Sequence, residues 1–181
     1  MKEIRVHGRG GMGNVTAAEL LAEAAFADGK YAQAFPSFGA EREGAPVVAF
    51  VRISDSPIRL RQQVYEPDFL IVQDVGLIYS ANILEGLKPG GEVVVNTDRP
   101  AEELPIEEGF KVYTVPALKI ALDVIGRPFF NVVMVGAFAC ATNLVEVDAV
   151  VGAIKARFPG ELGEKEAVAT MKACEHLGEC G

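Results

Sequence analysis

The chain has 181 residues, half of them apolar, with a formal net charge of −8. That length suits one domain with a core large enough to fold alone. The acidic balance argues against a nucleic-acid binder, which needs a basic face, and the most apolar stretch, Phe129 to Ala141, is too short to span a membrane.

From the amino end, Glu3 to His7 reads as a short strand and runs into Gly8-Arg9-Gly10-Gly11-Met12-Gly13. Ala18, Leu21, Ala22 and Ala25 follow at helical spacing, predicting a helix over Asn14 to Ala27. Asn14 or Thr16 is expected to cap it, Thr16 with Glu19 having capping-box spacing. Asp28-Gly29 ends it. Strand, glycine loop and helix in that order form an anion-binding device. Glycines allow a sharp turn and close backbone approach, and the helix amino end supplies free N–H groups and a positive dipole. Gly8, Gly10 and Gly13 have the G-x-G-x-x-G spacing, weak alone and stronger in this context. The alternative is a turn that only packs the helix on the sheet. Gly10 is expected to be the least replaceable position, because a side chain there would block a ligand.

Tyr31 to Phe35 reads as the second strand. A nicotinamide-binding domain should end it with an acid for the ribose hydroxyl, but Pro36-Ser37-Phe38 follows. Ser37 to Ala45 is polar, charged and glycine-bounded, a loop in which Arg42 offers a guanidinium to a phosphate or carboxylate or simply pairs with Glu41 and Glu43. Pro46 to Ile53, Asp68 to Gln73, Glu92 to Asn96 and Phe110 to Val115 read as further buried strands. Asp74, after one of them, faces the ligand crevice or caps the next turn. Short helices are expected at Ile78 to Leu84 and from Pro116. Asn131 to Asn143, with Asn131 as its cap, Asp148 to Arg157 and Glu164 to Leu177 are three more. The small residues of the first suit close packing, against a partner or within the chain's own core. The resulting fold class is α/β, a single Rossmann-like domain with a mainly parallel sheet and helices on both faces.

A start in strand-like residues leaves no stretch resembling a signal peptide, so a cytoplasmic protein is expected. Cys140, Cys174 and Cys180 form no C-x-x-C pair, and three cysteines without evident pairing suit a reducing compartment. Neither they nor His7 and His176 read as metal ligands. No G-x-S-x-G elbow, cysteine–histidine pair, close carboxylate pair or G-x-x-x-x-G-K-[ST] loop stands out, so no catalytic residue is assigned. The residues describe an anion cradle without catalytic apparatus.

Three stretches together resemble the gamma subunit of the 2-oxoacid:ferredoxin (or acceptor) oxidoreductases, the pyruvate synthase family. They are GRGGMGNVTAAELLAEA at 8–24, SFGAEREGAPVVAFVRISDSPI at 37–58 and NVVMVGAF at 131–138. Many relatives carry R-G-G where this chain has Arg42-Glu43-Gly44. The resemblance implies a subunit of an enzyme that decarboxylates a 2-oxoacid on thiamine diphosphate. The electrons pass through iron–sulfur (4Fe-4S) clusters to ferredoxin, and the acyl group goes to coenzyme A. It implies thiamine diphosphate and clusters on alpha, beta and delta-type partner subunits. This chain would contribute to the coenzyme A region through Gly8, Arg9, Gly10, Gly11, Gly13 and Arg42. Self-association of the isolated chain, the identity of the oxoacid, and ferredoxin against flavodoxin stay open. The alternative reading is a stand-alone nucleotide- or phosphate-binding Rossmann-like protein.

Overall fold

The computed structural model describes residues 1–37 and 43–179. Six strands form one sheet in the order β2-β3-β1-β4-β5-β6. They are β1 (Lys2–Arg9), β2 (Tyr31–Pro36), β3 (Pro46–Ser54), β4 (Phe69–Val72), β5 (Glu92–Asn96) and β6 (Lys111–Val115). β1, β4, β5 and β6 pair in parallel, whereas β3 is antiparallel to both β1 and β2. All strands but β3 therefore point the same way. The reversal follows from chain length. Nine residues join β2 to β3, enough for a hairpin and too few for the crossover a parallel pair needs.

The faces are covered unequally. Ile4, Val6, Ala49, Val51, Ile71 and Val94 point to one face. There they meet α1 (Asn14–Ala27), α3 (Ala117–Val124), α4 (Phe130–Thr142), α5 (Val147–Arg157) and α6 (Glu161–Glu179). Leu70, Val72, Val93 and Val95 point to the other, under α2 (Gly76–Ser80) and the turns after it. The alternation is the strand period of two. Over β1 to β3 this second face carries charged side chains beside the packed Phe35 and Phe50 rings: Arg52, fully buried, donates from Nε to Glu3 (2.8 Å) and from Nη2 to the Gln63 carbonyl (3.2 Å), fastening the chain after β3. Beside them, burial and then the Arg5 cation push the His7 imidazole down to about 3, so it is neutral at physiological pH.

Val132 to Ala139 of α4 are all buried. The apolar helix that suited a partner surface or a core is thus core, enclosed by the sheet, α1 and α6. A Cβ at Gly136 would lie 2.2 Å from Thr170 Cγ2, so the glycine sets the spacing of α4 and α6. The same packing corrects the expectation of unpaired cysteines. Cys140 of α4 and Cys174 of α6 are disulfide-bonded, with Cα atoms 5.5 Å apart across 34 residues of sequence. Their pairing depends on helix contact and leaves no short-range spacing to read. Closing a loop of that size stabilises a chain by roughly 3–4 kcal/mol in the loop-entropy model. Denaturant unfolding with and without dithiothreitol is expected to differ by that amount, and a Cys140→Ala variant should abolish the difference.

Candidate functional site

The carboxyl ends of β1, β4, β5 and β6 share one edge of the sheet. The chain leaves β1 for α1 on one face and β4 for α2 on the other. The gap between β1 and β4 is therefore the topological switch point, where open α/β sheets bind ligands. The glycine loop lies there.

The Gly10 backbone is hydrogen-bonded within the protein. Its N–H donates to the Ala45 carbonyl (2.9 Å), and its carbonyl accepts from Gly44 N–H (3.2 Å). Its backbone thus fastens the turn before β3. Gly11 is exposed, and Gly10, Met12 and Gly13 are half-buried. Gly11 (φ 90°) and Gly13 (φ 72°) have left-handed backbones, and space is open where a Cβ of Gly11 would point. Among the described residues, the Gly11 and Gly13 N–H groups find no acceptor. Gly13 caps α1 without a side-chain hydrogen bond, so neither Asn14 nor Thr16 serves as the cap. The uncapped helix end and loop amides form a cradle for negative charge.

Asn14 turns inward instead. It is buried, donates from Nδ2 to the Arg9 carbonyl (3.0 Å) and accepts from Gln73 Nε2 (2.6 Å), tying the loop to the end of β4. Gly8 makes room for it: a Cβ there would lie 2.1 Å from Asn14 Oδ1. Arg9 pairs through Nε with the Asp74 carboxylate and donates to the Gly44 carbonyl (3.2 Å), while Asp74 also accepts from Gly76 N–H (2.9 Å). Asp74 thus caps the turn into α2, and the Arg9 charge is largely neutralised. Asn131 is not a cap either. It lies in the first turn of α4, whose cap position is Phe129, and donates to the Gly13 carbonyl (3.4 Å). The fold brings together Gly8, Arg9, Gly10, Gly11 and Gly13. Arg42 lies outside the described residues, although its neighbours Glu43 and Gly44 adjoin Gly10.

Two cavities flank the loop, and Met12 and Phe130 line both. One, of about 400 Å³, carries Gln73, Asp74, Asn96, Asp98 and Lys119 among apolar neighbours. The other, of about 440 Å³, is walled by Phe129, Phe130, Phe158 and Leu162 and reached by Glu166. Glu166 is 1% exposed, its Oε2 has no hydrogen-bond partner, and burial pushes its carboxyl up to about 7. From the sequence Glu166, with Glu164, reads only as an acid near the start of the last helix that suits its dipole, although Leu162, Glu166, Ala169 and Ala173 fall on one helical stripe, a periodicity that exposes an acid among core positions. The inward roles of Asn14, Gln73 and Asn131 carry no such signal. Among the described residues there is no group of three or more histidine, cysteine or acidic side chains that would hold a metal ion. No described helix is long and apolar enough to cross a membrane. The arrangement can hold an anion and an apolar body beside it.

A family model described as pyruvate ferredoxin/flavodoxin oxidoreductase matches residues 3–176. The chain is 57% identical over 177 residues to the pyruvate synthase subunit PorC of Methanocaldococcus jannaschii, covering 98% of this chain and 97% of that one. It is 51% identical over 178 residues to the pyruvate/ketoisovalerate oxidoreductases common subunit gamma of Thermococcus litoralis, covering 97% and 96%. The crystal structure of the pyruvate oxidoreductase subunit PORC of Thermotoga maritima superposes with a TM-score of 0.83 at 39% identity, covering 96% of this chain and 95% of that one. With its glycine loop at the switch point and a family match along nearly its whole length, the chain belongs to the pyruvate ferredoxin/flavodoxin oxidoreductase family.

Proposed function

We propose that this chain is the gamma-type subunit of a multi-subunit 2-oxoacid:ferredoxin oxidoreductase, an enzyme that converts pyruvate or a related 2-oxoacid to acyl-coenzyme A, carbon dioxide and reduced ferredoxin. The observation that carries this reading is the family match over residues 3–176. The site agrees with a supporting role, because it offers a cradle for an anion and, among the described residues, no nucleophile paired with a base. Thiamine diphosphate and the 4Fe-4S clusters are assigned to alpha, beta and delta-type partner subunits in the cytoplasm. Coenzyme A is assigned to the edge around Gly11–Gly13. The local fit is good for one of its phosphates: the Gly11 and Gly13 amides lack acceptors among the described residues, and open space lies over Gly11. Coenzyme A would supply the thiol that accepts the acyl group. This chain's part is to hold and orient its phosphate end through loop amides and the amino end of α1.

The experiment is reconstitution. The chain alone is expected to give no oxoacid-dependent dye reduction. Adding it to partner subunits prepared without it should restore coenzyme A-dependent turnover from background. Dye reduction by the chain alone, or full turnover without it, would overturn the assignment.

A further inference from the structure

We propose that the cavity between α1, α4 and α6 is a binding site for an adenine base, held between Phe129, Phe130 and Phe158 and read by Glu166. This deepens, and rests on, the coenzyme A reading, since it names the part of that molecule the cavity takes. Three observations point the same way. First, the cavity is about 440 Å³, ample for a purine, and its three phenylalanine side chains are half-buried around it. Aromatic faces give a base a sequence-tolerant stacking surface.

Second, Glu166 reaches this cavity while 1% exposed, and its Oε2 has no partner among the described residues. A buried polar atom without a partner is rare in native structures and asks for a ligand or water. With its carboxyl held near 7 by burial, Glu166 is protonated below that pH and offers an O–H donor beside a carbonyl acceptor. An adenine edge presents the complement, an amino N–H beside a ring nitrogen acceptor. Third, the same cavity is bordered by Gly13 and Asn131, at the amino ends of α1 and α4, neither of which has a side-chain cap. Those ends place phosphate-binding amides beside the base. A bare anion site would not need the phenylalanines, and an apolar pocket would not need the acid.

The test uses the full chain and the reconstituted complex, with adenosine 3′,5′-bisphosphate as the probe and its purine analogue lacking the 6-amino group as the control. Binding is read by titration calorimetry and by amide chemical shifts. Removing the amino group should weaken binding to the wild type by about tenfold, the size of one lost two-point base contact. Glu166→Met should lose about as much and no longer distinguish the two probes. Glu166→Gln should bind within about threefold of wild type, because an amide also offers a donor beside an acceptor. Equal binding of the two probes, or an unaltered affinity in Glu166→Met, would overturn the proposal. So would pantetheine 4′-phosphate binding as tightly as coenzyme A, which would leave the coenzyme A reading standing. Glu166-dependent adenine binding in a complex whose turnover does not depend on coenzyme A would uphold this site and sink that reading instead.

Discussion

Replacing Gly13 by alanine is expected to destabilise the chain by about 2–3 kcal/mol and to raise the KM for coenzyme A of the assembled enzyme about tenfold or more. The reason is geometric. Gly13 sits at φ 72°, a left-handed conformation costing an L-residue roughly 1–2 kcal/mol. Its new Cβ would lie 2.5 Å from Asn131 Nδ2, so the amide must leave the Gly13 carbonyl it now contacts. Losing that hydrogen bond adds about 1 kcal/mol. Gly13 also aims the first amides of α1, so any relaxation moves the donors assigned to phosphate. The oxoacid dependence should change far less, because the oxoacid is decarboxylated on thiamine diphosphate, which is assigned to partner subunits. Steady-state kinetics varying coenzyme A and oxoacid separately, with denaturant unfolding of the chain, checks both parts. The double variant Gly13→Ala/Asn131→Ala removes the clash and keeps the backbone cost. An unchanged coenzyme A dependence in a correctly assembled complex would leave the loop with a packing role.

Between about pH 4.5 and 7 the chain is expected to lose up to about 3 kcal/mol of stability through Glu166 alone. Burial raises this carboxyl from 4.5 to about 7, so the folded state holds the proton across a range in which the unfolded chain has released it. The contribution is fully present below the unfolded value and is lost as pH rises through the folded one. At about 1.4 kcal/mol per unit, two and a half units total roughly 3.5 kcal/mol, and the part already lost at pH 4.5 brings this to about 3 kcal/mol. Glu166→Gln cannot titrate. Its stability should match that of wild type near pH 4.5 and exceed it by up to about 3 kcal/mol at pH 8, as read from urea midpoints across that range. A constant difference between the two proteins at all pH values would show that Glu166 keeps its ordinary acidity.

Much of this protein is determined locally and is legible in the chain. The helix over Asn14–Ala27 has the expected bounds, because its alanine and leucine spacing and the Asp28-Gly29 stop are local features. The strand Glu92–Asn96 and the placement of the glycine loop between a strand and a helix follow for the same reason. The resemblance of three motif stretches, at 8–24, 37–58 and 131–138, sufficed to point to the family. What tertiary structure alone decided involves contacts between residues far apart in sequence. A hairpin inserts β3 between β1 and β2, so the end of β2 stands two strand spacings, about 10 Å, from the glycine loop. An acid after the second strand would therefore not adjoin the loop and could not serve a ribose bound there. Asn14 and Asn131 look like caps because short polar residues before apolar helices usually are. Each instead finds a better-enclosed partner, across 5 and 118 residues of sequence respectively. The Cys140–Cys174 bond, the burial of Glu166 at the cavity that three phenylalanines line and the neutralising of Arg9 by Asp74 arise in the same way. Periodicity fixes which face of an element is apolar, whereas the neighbour that face meets is set only when helices and strands pack.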